Sequence, residues 1–156
     1  MILSGAAKII RRFIEDYHEK LEEEHLFPRF EKAGKLTDLV RVLREQHAAG
    51  RKLTAAIEAG AAASGLRDEE GRAKVSRSLK LFIRMYRPHE AREDTVLFPA
   101  LHGIVSAKEY DALGEQFEKK EHDLFGADGF EKVVEEIAGL EKKIGLYDLA
   151  GFTPGV

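Results

Sequence analysis

An eleven-residue segment occurs twice in this chain, 71 positions apart and without gaps. His18-Glu19-Lys20-Leu21-Glu22-Glu23-Glu24-His25-Leu26-Phe27-Pro28 aligns with His89-Glu90-Ala91-Arg92-Glu93-Asp94-Thr95-Val96-Leu97-Phe98-Pro99. Six of the eleven pairs are identical, and Glu23 against Asp94 keeps the acid. Composition alone yields about one identity, so H-E-x-x-E-[ED]-x-x-L-F-P is a duplicated unit, and a duplicated unit constrains fold and site together.

The residues around both copies are helix formers. Ala, Leu, Glu, Lys and Arg dominate, only 4 prolines occur, and summed propensity favours helix nearly everywhere, with no sheet. The spacing predicts a first helix from Ala6 to Phe27, stopped by Pro28. A second runs from Leu36 to Ala62, with Val40, Leu43, His47, Thr54 and Ile57 on one stripe and Ser64-Gly65 ending the pattern. A third starts near Asp68, carries Val75, Leu79, Phe82, Tyr86, His89, Glu93 and Val96 on one face, and is closed by Pro99. Pro88 interrupts that helix just before His89 and is expected to re-aim it. Ser106 with Glu109 forms a capping box for a fourth helix to Phe125, and a fifth runs from Gly129 to Ile144. The organisation expected is a single domain over 1–156: a core over 6–101, C-terminal helices over 106–145 and an irregular tail over 146–156.

Composition excludes several chemistries. The 156 residues contain no cysteine, which rules out disulfides, thiolate zinc sites, iron–sulfur clusters and cysteine nucleophiles. A net charge of −3, from 25 basic and 28 acidic residues, gives no electrostatic argument for nucleic acid or an anionic membrane. No apolar run approaches the ~20 residues of a membrane span. The N-terminus lacks the pattern of an export signal, so a cytoplasmic location is expected.

On a helix, residues four apart lie one turn apart on the same side, so His18 with Glu22 and His89 with Glu93 each project an imidazole and a carboxylate into one place. Both pairs fall on apolar stripes. Unpaired carboxylates facing a core cost several kcal/mol or protonate, and a metal held by nitrogen and carboxylate oxygen, such as iron, manganese or zinc, answers that cost.

The paired H-x-x-x-E units, each running into Leu-Phe-Pro, with His47 in the helix between, resemble the hemerythrin-like (HHE cation-binding) domain family. The resemblance covers roughly residues 13–101. It implies an all-α, antiparallel up-and-down four-helix bundle whose core holds two oxo- or hydroxo-bridged iron ions. Carried onto matching positions, the implied ligands are His18, Glu22, His47, His89 and Glu93, with the two glutamates bridging. The implied function is binding of dioxygen or a related small oxidant, or sensing of redox or iron state, without turnover of an organic substrate. A di-iron oxidoreductase (peroxidase, ferroxidase or nitric-oxide-handling) and a metal-free helical interaction module are the alternatives.

One departure stands out. Family members carry a further helix before the first unit, supplying one more His, whereas the 17 residues ahead of His18 contain none. A late start codon, a ligand from a second subunit of a homodimer, the C-terminal helices folding into the vacant place, or a site with one metal or none would each account for it. Glu121, which interrupts an apolar face, is the best internal substitute, with helix-to-helix salt bridging as the other reading. His25 is expected to supply bulk, like its counterpart Val96. His102 and His122 are expected at the surface, Glu19 and Glu90 in solvent or bonded to a ligand histidine, and Glu23 and Glu24 on a solvated face. Tyr17 and Tyr86 are expected to pack in the core, with hydrogen bonding near bound oxygen as the alternative.

Overall fold

The computed structural model describes residues 2–62 and 66–155, and among them the regular structure is helical, with no strand. The fold is the expected all-α bundle. Helix α1 spans residues 2–33, α2 Thr37–Ala61, α3 residues 69–101, α4 Ala107–Phe125 and α5 Gly129–Lys143, followed by a short 3₁₀ turn at Leu149–Phe152. Ser64 and Gly65, expected to end the second helix, lie outside the described residues.

Neither Pro28 nor Pro99 stops a helix, contrary to the sequence reading. Helix α1 continues through Pro28 to Gly34, which caps it in the left-handed conformation at φ 62°. Helix α3 continues through Pro99 to Leu101. The reason lies one turn earlier. In both copies of the repeat the backbone widens into a π-turn, Glu22–Leu26 and Glu93–Leu97. The Phe27 N–H donates to the carbonyl of Glu22, and the Phe98 N–H to that of Glu93, each five residues back. Each proline then falls in the first turn of a fresh α-segment, where a missing N–H is tolerated. The Glu23 carbonyl, five residues ahead of Pro28, accepts from Arg44 instead at 3.4 Å.

A longer π-helical stretch, Ile10–His18, precedes the first copy. The acids Glu15, Glu19 and Glu22 follow at spacings of four and three, which keeps them on one face of the helix. Glu15, Glu19 and Glu22 are all buried.

Caps behave largely as read. Asp68 accepts from the Gly71 N–H at 2.7 Å, and Ser106 from the Glu109 N–H at 3.2 Å. The capping box is only half formed, because the Glu109 carboxylate turns away to accept from Arg29 Nε at 2.8 Å.

Helices α1, α2 and α3 pack side by side, with α4 and α5 folded over the outside of α1. One apolar cluster, with Phe27, Phe30, Leu43, Leu97, Leu101 and Leu113 among its members, closes one end of the bundle. A second joins Ile9, Phe13, Tyr17 and Leu21 of α1 to Val133 of α5. Between these clusters runs a band of buried polar groups: Glu15, Glu19, Glu22, His47, Thr54, His89 and Glu93. The tail lies open, with Leu149 and Phe152 exposed. No helix among the described residues is long and apolar enough to cross a membrane.

Candidate metal centre

All five residues singled out in the sequence come together in the polar band. Glu93 Oε1 lies 2.9 Å from His89 Nε2 and 3.9 Å from His47 Nε2. Glu22 reaches the other way: Oε1 is 3.5 Å from His18 Nε2, and Oε2 is 3.5 Å from His47 Nε2. The side chains form two groups, His47–His89–Glu93 and His18–Glu22–Glu93, within each of which the donor atoms lie within 4.8 Å of one another. Glu93 belongs to both.

The ring nitrogens that face away from this centre are held. His47 Nδ1 donates to Glu23 at 3.1 Å, and Glu23 in turn accepts from Arg51 at 2.7 Å. His89 Nδ1 donates to the Gln46 side-chain oxygen at 2.8 Å. Each bond fixes the tautomer and turns a bare Nε2 lone pair inward, an arrangement that suits a metal ligand. Phe27 stacks on the His47 ring at 5.5 Å between centroids, which seals that side.

Among the described residues, both oxygens of Glu22, Nε2 of His47 and Oε1 of Glu93 are buried without a hydrogen-bond partner. An unsatisfied buried polar group costs ~1–3 kcal/mol, and more if charged. Burial drives His47 down to about 4, so it is no compensating cation at neutral pH, and burial pushes Glu22 up. Three imidazoles and two carboxylates converging on one spot have the composition of an iron, manganese or zinc site. The residues fit a bound cation.

A neighbouring cluster does not need one. Glu19, Glu23 and His47 also come within 4.8 Å, but the Arg51 guanidinium lies 2.8 Å from Glu19 and 2.7 Å from Glu23. Its charge is supplied by the protein. Burial pushes Glu23 up, but Arg51 and His47 outweigh that and hold it below the usual carboxylate range.

This second layer is what sequence reasoning missed. Glu19 is not solvated; it is buried, accepts from the Tyr86 hydroxyl at 2.6 Å, and burial pushes it up to about 7. Glu90, its counterpart, is exposed. Glu23 is no part of a solvated face, and Tyr86 is a polar partner as well as a core residue. Glu15 pairs with Arg11, which also donates to Glu58 at 2.9 Å. The available signal was the i, i+4 ladder Glu15–Glu19–Glu23 facing a helix that carries Arg51.

Glu121 does not stand in for a missing ligand. It accepts from the Tyr17 hydroxyl at 3.2 Å and from the Phe130 N–H at 2.9 Å, tying α4 to α1 and to the start of α5. His25 packs on Phe117 and His102 stacks on Tyr110.

The hemerythrin HHE cation binding domain matches this chain over residues 3–101 and 38–153. The chain belongs to that family. The two matches overlap across α2 and α3, as an internal duplication permits. This hemerythrin HHE chain is 51% identical over 152 residues to "Uncharacterized protein Rv1995" of Mycobacterium tuberculosis (strain ATCC 25618 / H37Rv). It is equally similar to "Uncharacterized protein Mb2018" of Mycobacterium bovis (strain ATCC BAA-935 / AF2122/97). Each alignment takes in 97% of this chain and 60% of the relative's length. No solved structure is a significant match.

Proposed function

We propose that this hemerythrin HHE domain holds two iron ions and uses them to bind dioxygen or a related small oxidant, or to report redox or iron state. The observation that carries the reading is Glu93, which is shared between two three-residue donor groups. His47, His89 and Glu93 would hold one ion, and His18, Glu22 and Glu93 the other, with the two oxygens of Glu22 turned toward different histidines. A non-haem iron pair supplies reversible exchange of electrons with a small oxidant.

The protein's own part is orientation and exclusion of water. Glu23 and Gln46 hold the His47 and His89 rings in the ligating tautomer. His47 and His89 are buried, whereas the His18 side chain is 44% exposed, so the centre is open on one side only, where a small molecule enters.

Anaerobic loading with ferrous iron, followed by metal analysis and admission of air, tests the reading. Two equivalents of iron per chain and an air-dependent visible band, both diminished in Glu93→Ala, are expected. Iron below one equivalent, with no response to air, would overturn it.

A further inference from the structure

The open side of the centre is a cavity far larger than a diatomic molecule needs. It measures about 340 Å³ and lies between α1, the end of α3 and α4. Its walls are largely apolar, with Leu21, Leu26, Phe98, Leu113 and Phe117 among them; the polar side chains that line it are His18 and Glu22 of the centre and Tyr110 of α4. A small occupant the size of water takes ~30 Å³, and an apolar void of ~150 Å³ accepts benzene. The cavity is therefore built on the scale of an organic molecule, at the lower end of ordinary ligand pockets.

The far wall carries a second observation. Gly114 lies in the middle of α4 with no positive φ, and a Cβ placed there would meet nothing within 4 Å. Mid-helix glycine costs stability relative to alanine. Here it relieves no close contact and serves no turn; its bare backbone leaves the cavity wide.

Resting on the metal reading above, we propose that this cavity binds a monocarboxylate with an apolar tail. The carboxylate faces the ion held by His18, Glu22 and Glu93, and the tail lies against α4 between Leu113 and Phe117. The polar end of the cavity dictates the head group. Without a cation, the Glu22 carboxylate at that end repels an acid; a cation held by His18, Glu22 and Glu93 would attract it. Binding of acid and metal is thereby coupled, and each tightens the other.

The full chain loaded with cobalt(II), whose visible bands respond to a new oxygen ligand, is titrated with octanoate, acetate and 1-octanol. Octanoate is expected to shift the bands saturably with a Kd roughly a hundredfold below that of acetate, since its extra methylenes are buried, and 1-octanol is expected to leave the bands unchanged. Gly114→Leu, a better helix former that fills the cavity, should retain cobalt and the acetate response while losing the advantage of octanoate. Equal affinity for octanoate and acetate, or an undiminished octanoate response in Gly114→Leu, would overturn the proposal with the metal reading intact. Failure to retain cobalt at all would overturn both, and is distinguished by metal analysis before any acid is added.

Discussion

Glu23 and His47 meet across the interface of α1 and α2, with the carboxylate accepting from Nδ1 at 3.1 Å while it is clamped from the other side by Arg51. The bond makes Glu23 the group that sets the direction of the most deeply buried histidine. Carboxylate partners of this kind also raise the basicity of the ring. Glu23→Ala is expected to weaken metal binding ~10–100-fold, a loss measured by competition with a chromophoric chelator. Unchanged affinity would show that packing against Phe27 alone orients the ring.

Glu22 opposes stability in order to serve the site. Its carboxylate is buried beside Glu93, and neither oxygen has a hydrogen-bond partner among the described residues. Glu22→Gln should therefore raise the stability of the metal-free protein by ~1–2 kcal/mol while impairing metal binding. Urea unfolding with chelator present reads the first effect and metal titration the second. A metal-free protein destabilised by the change would contradict this role.

Removing the metal should destabilise the native protein for the same reason. An ion that binds only the folded state at a thousand times its Kd adds ~4 kcal/mol. Thermal unfolding with and without excess chelator is expected to differ by many degrees. Coincident curves would mean that no ion is held.

Glu19 gives a pH dependence of defined sign. Burial pushes its carboxyl up to about 7 in the folded chain from an ordinary value of 4.5. Across that window the folded state binds more protons than the unfolded one, so the stability tied to Glu19 is complete below about pH 4.5 and lost as pH rises through 7. The loss amounts to about 3 kcal/mol. Glu19→Gln lacks it, so the metal-free variant should gain on the parent by that amount between pH 4.5 and 8. A difference that stays constant with pH would contradict the burial of an ionisable Glu19.

Gly50 makes room for Tyr86. A Cβ at position 50 would lie 2.1 Å from the Tyr86 hydroxyl oxygen and 2.8 Å from its Cζ. Gly50→Ala should cost ~1–3 kcal/mol through overpacking, despite the better helix propensity of alanine. It should also break the Tyr86–Glu19 hydrogen bond. Calorimetry checks the first; an upfield-shifted or rapidly exchanging Tyr86 hydroxyl proton checks the second.

The candidate site was legible in the sequence because the duplication marks positions, and positions four apart stay together even when the helix changes pitch. His18, Glu22, His89 and Glu93 were legible for that reason, and His47 because it sits on the apolar stripe of α2. Helix ends were harder to read. Pro28 and Pro99 stop a regular α-helix, and only a π-turn, which leaves no mark in hydrophobic periodicity, lets the chain pass them. Glu19 and Glu23 were hidden for another reason: an i, i+4 ladder of acids reads equally well as a solvated face, and its partners Tyr86, Arg51 and His47 reach it only through the packing of α2 and α3. Of the two readings of Glu121, the structure bears out the bridge between helices, because Tyr17 and the Phe130 N–H take up its carboxylate.

The shared position of Glu93 is tested most directly by anomalous diffraction at the iron edge from crystals of the ferrous-loaded protein. Two peaks are expected, one among His47, His89 and Glu93 and the other among His18, Glu22 and Glu93, both within bonding distance of the Glu93 carboxylate. A single peak remote from Glu93, or none in protein shown by metal analysis to contain iron, would contradict it.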